Sequence, residues 1–123
     1  MQKAVLAKPE LIEEGFKPIL KEKVVNQGFV DVYGVDNQGR TLVIELKRRK
    51  AQVKDVVQLL RYVKDVKRKS SGKLVRGMLA APSISKEASV MIQTNGLEFK
   101  ALDPKICAEV LTLTSSKKIT EFL

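Results

Sequence analysis

Two β-forming apolar runs in this chain carry charge where a sheet is normally dry. They are Gly28-Phe29-Val30-Asp31-Val32-Tyr33-Gly34-Val35 and Thr41-Leu42-Val43-Ile44-Glu45-Leu46-Lys47. Asp36-Asn37-Gln38-Gly39 lies between them and has strong turn chemistry, so the two runs read as a hairpin. Burying an unpaired ion is expensive, so charges are rare in such runs. A site that gathers negative charge to hold a metal ion accounts for Asp31, Glu45 and Lys47 together.

The rest of the composition narrows the chemistry. At 123 residues the chain has the length of one domain, and 44% hydrophobic with 30% charged residues is a globular composition. No apolar run approaches the roughly 18 residues that span a membrane, and the first residues carry no extended apolar stretch, so the expectation is a cytoplasmic protein with no membrane association. One cysteine, Cys107, excludes an internal disulfide and a multi-cysteine zinc site. There is no histidine, which removes Ser–His and Cys–His nucleophilic pairs and imidazole-based metal sites. Hydrolysis would have to run on carboxylates, lysine, tyrosine and a hard, oxygen-liking ion such as Mg²⁺ or Mn²⁺.

Lysine and arginine number 23 against 14 acids, a formal charge of +9. That balance favours a polyanionic partner through phosphate contacts and counterion release. Lys47-Arg48-Arg49-Lys50 is an unbroken basic run, and Arg61, Lys64, Lys67, Arg68, Lys69, Lys73 and Arg76 follow with only Asp65 opposing. Arg48, Arg49, Lys50 and Arg61 are the candidate DNA contacts. Nucleic acid is favoured over a membrane surface, which would call for exposed aromatics beside the lysines.

Periodicity orders the elements. Pro9 to Gly15 reads as a short helix, and residues 19–25 as a first strand. After the hairpin, Val53, Val56, Val57, Leu60, Val63 and Val66 recur at helical spacing between Ala51 and Lys69. Leu74 to Ala81 reads as a buried strand, Ser85 to Thr94 as a second helix closed by Asn95-Gly96, and Leu97 to Leu102 as another strand. Ile106 to Leu113 fits helix or strand. The order β-β-β-α-β-α-β predicts an α/β fold, a mixed sheet with helices packed on it.

Strand alternation places Glu45 and Lys47 on one side of the sheet, with Leu42, Ile44 and Leu46 on the other. A glycine bulge at Gly39 would put Asp31 nearly opposite Glu45. Two carboxylates that close repel unless a cation lies between them or one takes a proton. Mg²⁺ or Mn²⁺ on Asp31, Glu45 and the Leu46 backbone carbonyl would resolve the conflict. Lys47 would then orient or help deprotonate the attacking water, or neutralise charge in the transition state. The alternative is a cross-strand ion-pair network at a sheet end. On the long helix, Gln58 and Tyr62 stack at i and i+4, on a stripe bordering or opposing the Val53–Val57–Leu60–Val63 face, so core packing does not account for Gln58.

Asp31, Glu45-Leu46-Lys47 and Gln58-x-x-x-Tyr62 together resemble the pattern of RecB-like nucleases in the PD-(D/E)XK superfamily. Pro9 to Pro18, Glu45 to Lys50, Gln58-Leu59-Leu60-Arg61-Tyr62 and Val75-Arg76-Gly77 resemble more closely the C-terminal catalytic domain of the archaeal and actinobacterial NucS/EndoMS mismatch endonucleases. The resemblance runs from about Lys8 to Leu102. It implies a restriction-endonuclease-like core, a divalent metal and hydrolysis of phosphodiesters in mismatched or branched DNA during repair. It assigns metal binding to Asp31 and Glu45 and catalysis to Lys47, with Gln58 and Tyr62 as supporting or phosphate-facing groups. It also implies an acidic residue on an upstream helix, for which Glu10, Glu13 and Glu14 are candidate substitutes. The family's N-terminal DNA-binding and dimerisation domain falls outside the matching stretch, and a homodimer remains an expectation.

Residues 114–123 are expected to form a tail beyond a nuclease domain of residues 1–113. Ile119, Phe122 and Leu123 make an apolar plug at i, i+3 and i+4, similar to the sliding-clamp-binding peptide of archaeal replication proteins, with Ser116 where glutamine is usual. The alternative is a terminal turn packed on its own core. Two rival functions stand beside the nuclease: a non-catalytic, clamp-tethered DNA-binding module on the same fold, and a Holliday-junction resolvase.

Overall fold

The protein is seen as a computed structural model that describes the backbone of residues 1–19, 23–25, 28–71 and 74–121, and the side chains of 1–19, 31–71 and 74–113. Its centre is a mixed five-stranded sheet in the order β1 (Lys17–Pro18), β4 (Val32–Val35), β5 (Thr41–Leu46), β6 (Val75–Ala81), β7 (Glu98–Ala101). β1, β4 and β5 pair antiparallel, whereas β5, β6 and β7 run parallel. The parallel half needs crossovers, supplied by helices α2 (Val53–Lys69) and α3 (Lys86–Thr94).

Both faces of the sheet are covered, which is why β5 reads as an almost continuous apolar run. Leu42, Val43 and Ile44 are fully buried. On one face Val43, Leu79 and Ala81 pack with Val56, Leu59, Tyr62, Val63 and Val66 of α2 and Ala88 and Ile92 of α3. On the other, Leu42, Ile44, Met78 and Ala80 pack with Ala4 and Val5 of α1 (Gln2–Ala7) and with Cys107 of α4 (Pro104–Glu121). The expected α/β sandwich is therefore present as a three-layer structure.

At Gly77 in β6 a methyl group would lie 2.5 Å from Val63 Cγ2 and 2.8 Å from Leu97 Cδ2, so α2 rests directly on the strand backbone there.

Several expectations change. The buried stripe of α2 runs through Val56, Leu59, Tyr62, Val63 and Val66, while Val53 is 41% exposed. The helix is turned so that Asp55 and Tyr62 face inward, because their polar ends find partners there. The run from Gly28 to Val35 is not one strand. It breaks at Asp31 into β3 (Gly28–Val30), which pairs with β2 (Lys23–Val25) in a separate two-stranded sheet, and β4. The expected strand at 19–25 is replaced by β1 and β2. Pro18 has no N–H to donate and sits in a two-residue edge strand, as its chemistry requires.

Pro9 to Gly15 contains only a single 3-10 turn, Pro9–Leu11, and α1 precedes it without having been expected. Residues 106–113 are helical: Asp103 Oδ1 accepts the Lys105 N–H at 2.9 Å, and Pro104 starts α4. α4 continues past residue 113, so no break in the helix marks the expected domain boundary. No helix among the described residues is long and apolar enough to cross a membrane.

Candidate active site

The β4–β5 hairpin places the two acids. Its turn is closed by Asp36 N–H donating to Arg40 O at 2.9 Å and Gly39 N–H to Asp36 O at 3.0 Å, with Gly39 at φ +79. This is the expected glycine bulge, which only a residue tolerant of positive φ accommodates without strain. The register pairs Val35 with Thr41 and Val32 with Ile44, so the next position sets Asp31 opposite Glu45. Asp31 lies at the break between the two sheets, where its side chain replaces a strand partner: Oδ2 accepts the Leu46 N–H at 2.8 Å. The Gln2 amide of α1 donates to the Asp31 carbonyl at 2.8 Å.

Glu45 is 4% exposed, and its Oε2 is buried with no hydrogen-bond partner. Burial is the largest influence on its acidity and the Asp31 carboxylate the next, and together they push it up to about 8 against a weaker opposing pull from Lys47. A buried carboxylate pair with an orphan oxygen lacks positive charge, and a hard divalent ion fits that donor chemistry. No group of three or more His, Cys, Asp or Glu side chains is placed to hold a metal among the described residues. The acidic donors are thus this pair. The candidate upstream acids do not join them: Glu13 is tied to Arg76 by two hydrogen bonds of 2.8 Å at the other end of β5, and Glu10 and Glu14 are exposed.

Lys47 Nζ lies 3.5 Å from Glu45 Oε1 and 3.8 Å from Asp55 Oδ1. Asp55 is the residue that sequence reasoning missed. It is 3% exposed, accepts the Gln52 N–H at 2.8 Å in a capping box, and accepts both Arg49 guanidinium nitrogens at 2.9 and 3.0 Å. Burial by itself would raise its acidity constant, but Arg49 and the Gln52 N–H outweigh it and hold the carboxyl below the usual range. The spacing Gln52-x-x-Asp55 just ahead of an apolar helical run was the available signal. Further along α2, Gln58 Nε2 donates to Tyr62 Oη at 2.8 Å, which gives the glutamine its partner. Tyr62 itself is 4% exposed, so its ring is core and only its hydroxyl edge serves the site.

Of the expected DNA contacts, Arg48, Lys50 and Arg61 are exposed, and Arg49 is held by Asp55. Arg76 does not belong to the basic surface: it is 16% exposed and pairs with Glu13, Asp36 and Glu98. Arg68 and Lys69 are engaged by Asp65 at 2.7 and 3.2 Å. The side chain of Ile119 and all of Phe122 and Leu123 lie outside the described residues, as does Lys73.

Known proteins share this arrangement. The family model described as the endonuclease NucS C-terminal domain matches residues 1–122. Endonuclease NucS of Pyrococcus abyssi is 48% identical over 104 residues, covering 85% of this chain and 41% of that protein. Endonuclease NucS of Aeropyrum pernix is 36% identical over 124 residues, covering 100% of this chain and 46% of its own length. Among solved structures, a repair endonuclease from Pyrococcus abyssi superposes with a TM-score of 0.77 at 47% identity, covering 83% of this chain and 45% of that one. A structure of an EndoMS–dsDNA complex superposes with a TM-score of 0.77 at 42% identity, covering 83% of this chain and 42% of the other. The chain spans less than half the length of these relatives. Because the family model covers it almost from end to end, the chain belongs to the endonuclease NucS family and corresponds to its C-terminal domain.

Proposed function

We propose that this domain is a divalent-metal-dependent endodeoxyribonuclease, acting in repair on mismatched or branched DNA. The observation that carries the reading is the buried Asp31–Glu45 pair with its orphan Glu45 Oε2 and Lys47 Nζ 3.5 Å from the other oxygen. The names of its relatives, endonuclease NucS and repair endonuclease, support the same chemistry.

Asp31 and Glu45 would hold Mg²⁺ or Mn²⁺. In an extended strand the N–H and C=O of one residue point the same way, so the Leu46 carbonyl lies on the Asp31 side and is available as a third oxygen. Such an ion supplies a Lewis acid for the phosphoryl oxygen and a more acidic bound water. Lys47 positions the attacking water and offsets the negative charge that grows on the phosphoryl oxygens. Asp55 steadies Lys47 from behind. Arg48, Lys50 and Arg61 contact the DNA backbone.

The test is cleavage of a mismatched duplex and a four-way junction with Mg²⁺ or Mn²⁺. Wild type should cut and Glu45→Ala should not, and equal activity of the two at matched purity ends the assignment. Preference for the four-way junction would instead favour a resolvase.

A further inference from the structure

Beside Lys47 an open groove of about 420 Å³ runs along the first half of α2. Lys47 and Arg49 line one side, Lys54, Gln58 and Arg61 the other, and the buried Asp55 and Tyr62 lie at its base. Four cations therefore face one acid. That acid is occupied, since Asp55 accepts two bonds from Arg49 and one from the Gln52 N–H, with Lys47 3.8 Å away. It leaves the charges of Lys54 and Arg61 unbalanced across the groove. These two stand at i and i+7 on one helix, about 10 Å apart along its axis. That span is too long for one small anion and suits consecutive phosphates on a strand. Gln58 Nε2 donates to Tyr62 Oη between them, which leaves the phenol hydrogen as a donor toward the groove.

We propose that this groove is a second phosphate site, which takes the phosphodiester adjacent to the cleaved one on the same DNA strand. Lys54 and Arg61 supply its charge contacts. The groove begins where the chemistry ends, at Lys47, and continues along α2, so a strand bound in it is held in line with Asp31 and Glu45. The inference rests on the nuclease reading for which phosphate is cleaved, but its binding can be measured without cleavage.

The experiment is fluorescence anisotropy of a labelled duplex with the whole chain in EDTA, across a salt series. Each lost phosphate contact lowers the slope of log affinity against log salt by about one. Lys54→Ala alone should lower it by about one, and Lys54→Ala with Arg61→Ala by about two. Lys86→Ala with Lys105→Ala removes the same net charge from exposed positions on α3 and α4 and should leave the slope unchanged. An unchanged slope in the groove variants overturns the proposal, as does an equal loss in the control pair, since bulk charge would then suffice. Cleavage with Mn²⁺ is scored in parallel. Wild type that cuts, with groove variants that raise KM and keep kcat, supports both conclusions. Wild type that binds through the groove and does not cut removes the nuclease reading and leaves the groove standing as a phosphate site.

Discussion

Lys47 and Asp55 face each other at 3.8 Å, linking the end of β5 to the first turn of α2. Asp55 holds this position because its other oxygen and backbone neighbours are fixed by Arg49 and Gln52. Asp55→Asn keeps the shape and removes the charge. We expect kcat to fall about tenfold or more, as when a group orienting a catalytic ligand is lost, with KM changed little. Loss of the capping interaction adds about 1 kcal/mol of destabilisation. Single-turnover cleavage and thermal unfolding of the same variant separate the two effects.

Glu45 gives a pH signature to the metal-free protein. Its carboxyl is pushed up to about 8 in the folded state, from 4.5, so the native chain binds a proton that the unfolded chain releases. Stability should therefore fall as pH rises from about 4.5 to about 8. Glu45→Gln cannot ionise and should flatten that slope in EDTA. Mn²⁺ should raise the Tm of wild type above pH 8 and leave Glu45→Gln unmoved, because a ligand that binds only the native state stabilises it. A Tm profile that is identical for both proteins, with and without Mn²⁺, removes the role assigned to this oxygen pair.

Arg76 gathers Glu13, Asp36 and Glu98 into one network that ties the segment after α1, the hairpin turn and β7 to β6. Arg76→Met leaves those acids without their shared partner. A loss of about 3–5 kcal/mol is expected for breaking a mostly buried ion network on one side. Denaturant unfolding measures it, and DNA affinity of the folded fraction should stay at the wild-type value.

Asp36 governs the acid limb. Burial by itself would raise its acidity constant, but the Arg40 and Gln38 N–H groups and the Arg76 and Arg40 guanidinium groups outweigh it and hold the carboxyl at about 2. The folded state's constant is lowered, so the stabilisation is present above pH 3.8 and is lost as pH falls through about 2. Asp36→Asn should make the chain less stable at neutral pH and flatten its acid denaturation profile.

The site was legible where it depended on alternation and turn chemistry. Gly39 and the strand period were enough to set Asp31 opposite Glu45 and to put Lys47 on the same side. The break at Asp31 was hidden, because Gly28 to Val35 has β-forming residues throughout and only tertiary pairing assigns its halves to different sheets. The face of α2 was misjudged for a related reason. Hydrophobicity alone favours Val53 and Val57, whereas Asp55 and Tyr62 face inward by satisfying their polar atoms there. Arg76 looked like part of a basic surface because Glu13, Asp36 and Glu98, which engage it, are distant in sequence.

Gly77 governs the working distance between two halves of the machinery. Glu45 and Lys47 ride on the sheet, while Asp55, Gln58 and Tyr62 ride on α2, and the gap between these two bodies is set where Val63 touches bare strand backbone. The missing side chain works as a clearance, and any substituent there is a shim. Larger residues at 77 would lift the helix and retune the reach between lysine and phosphate without touching a single catalytic atom. The same position offers selection, or an engineer, a way to trade turnover against substrate width from the far side of the sheet.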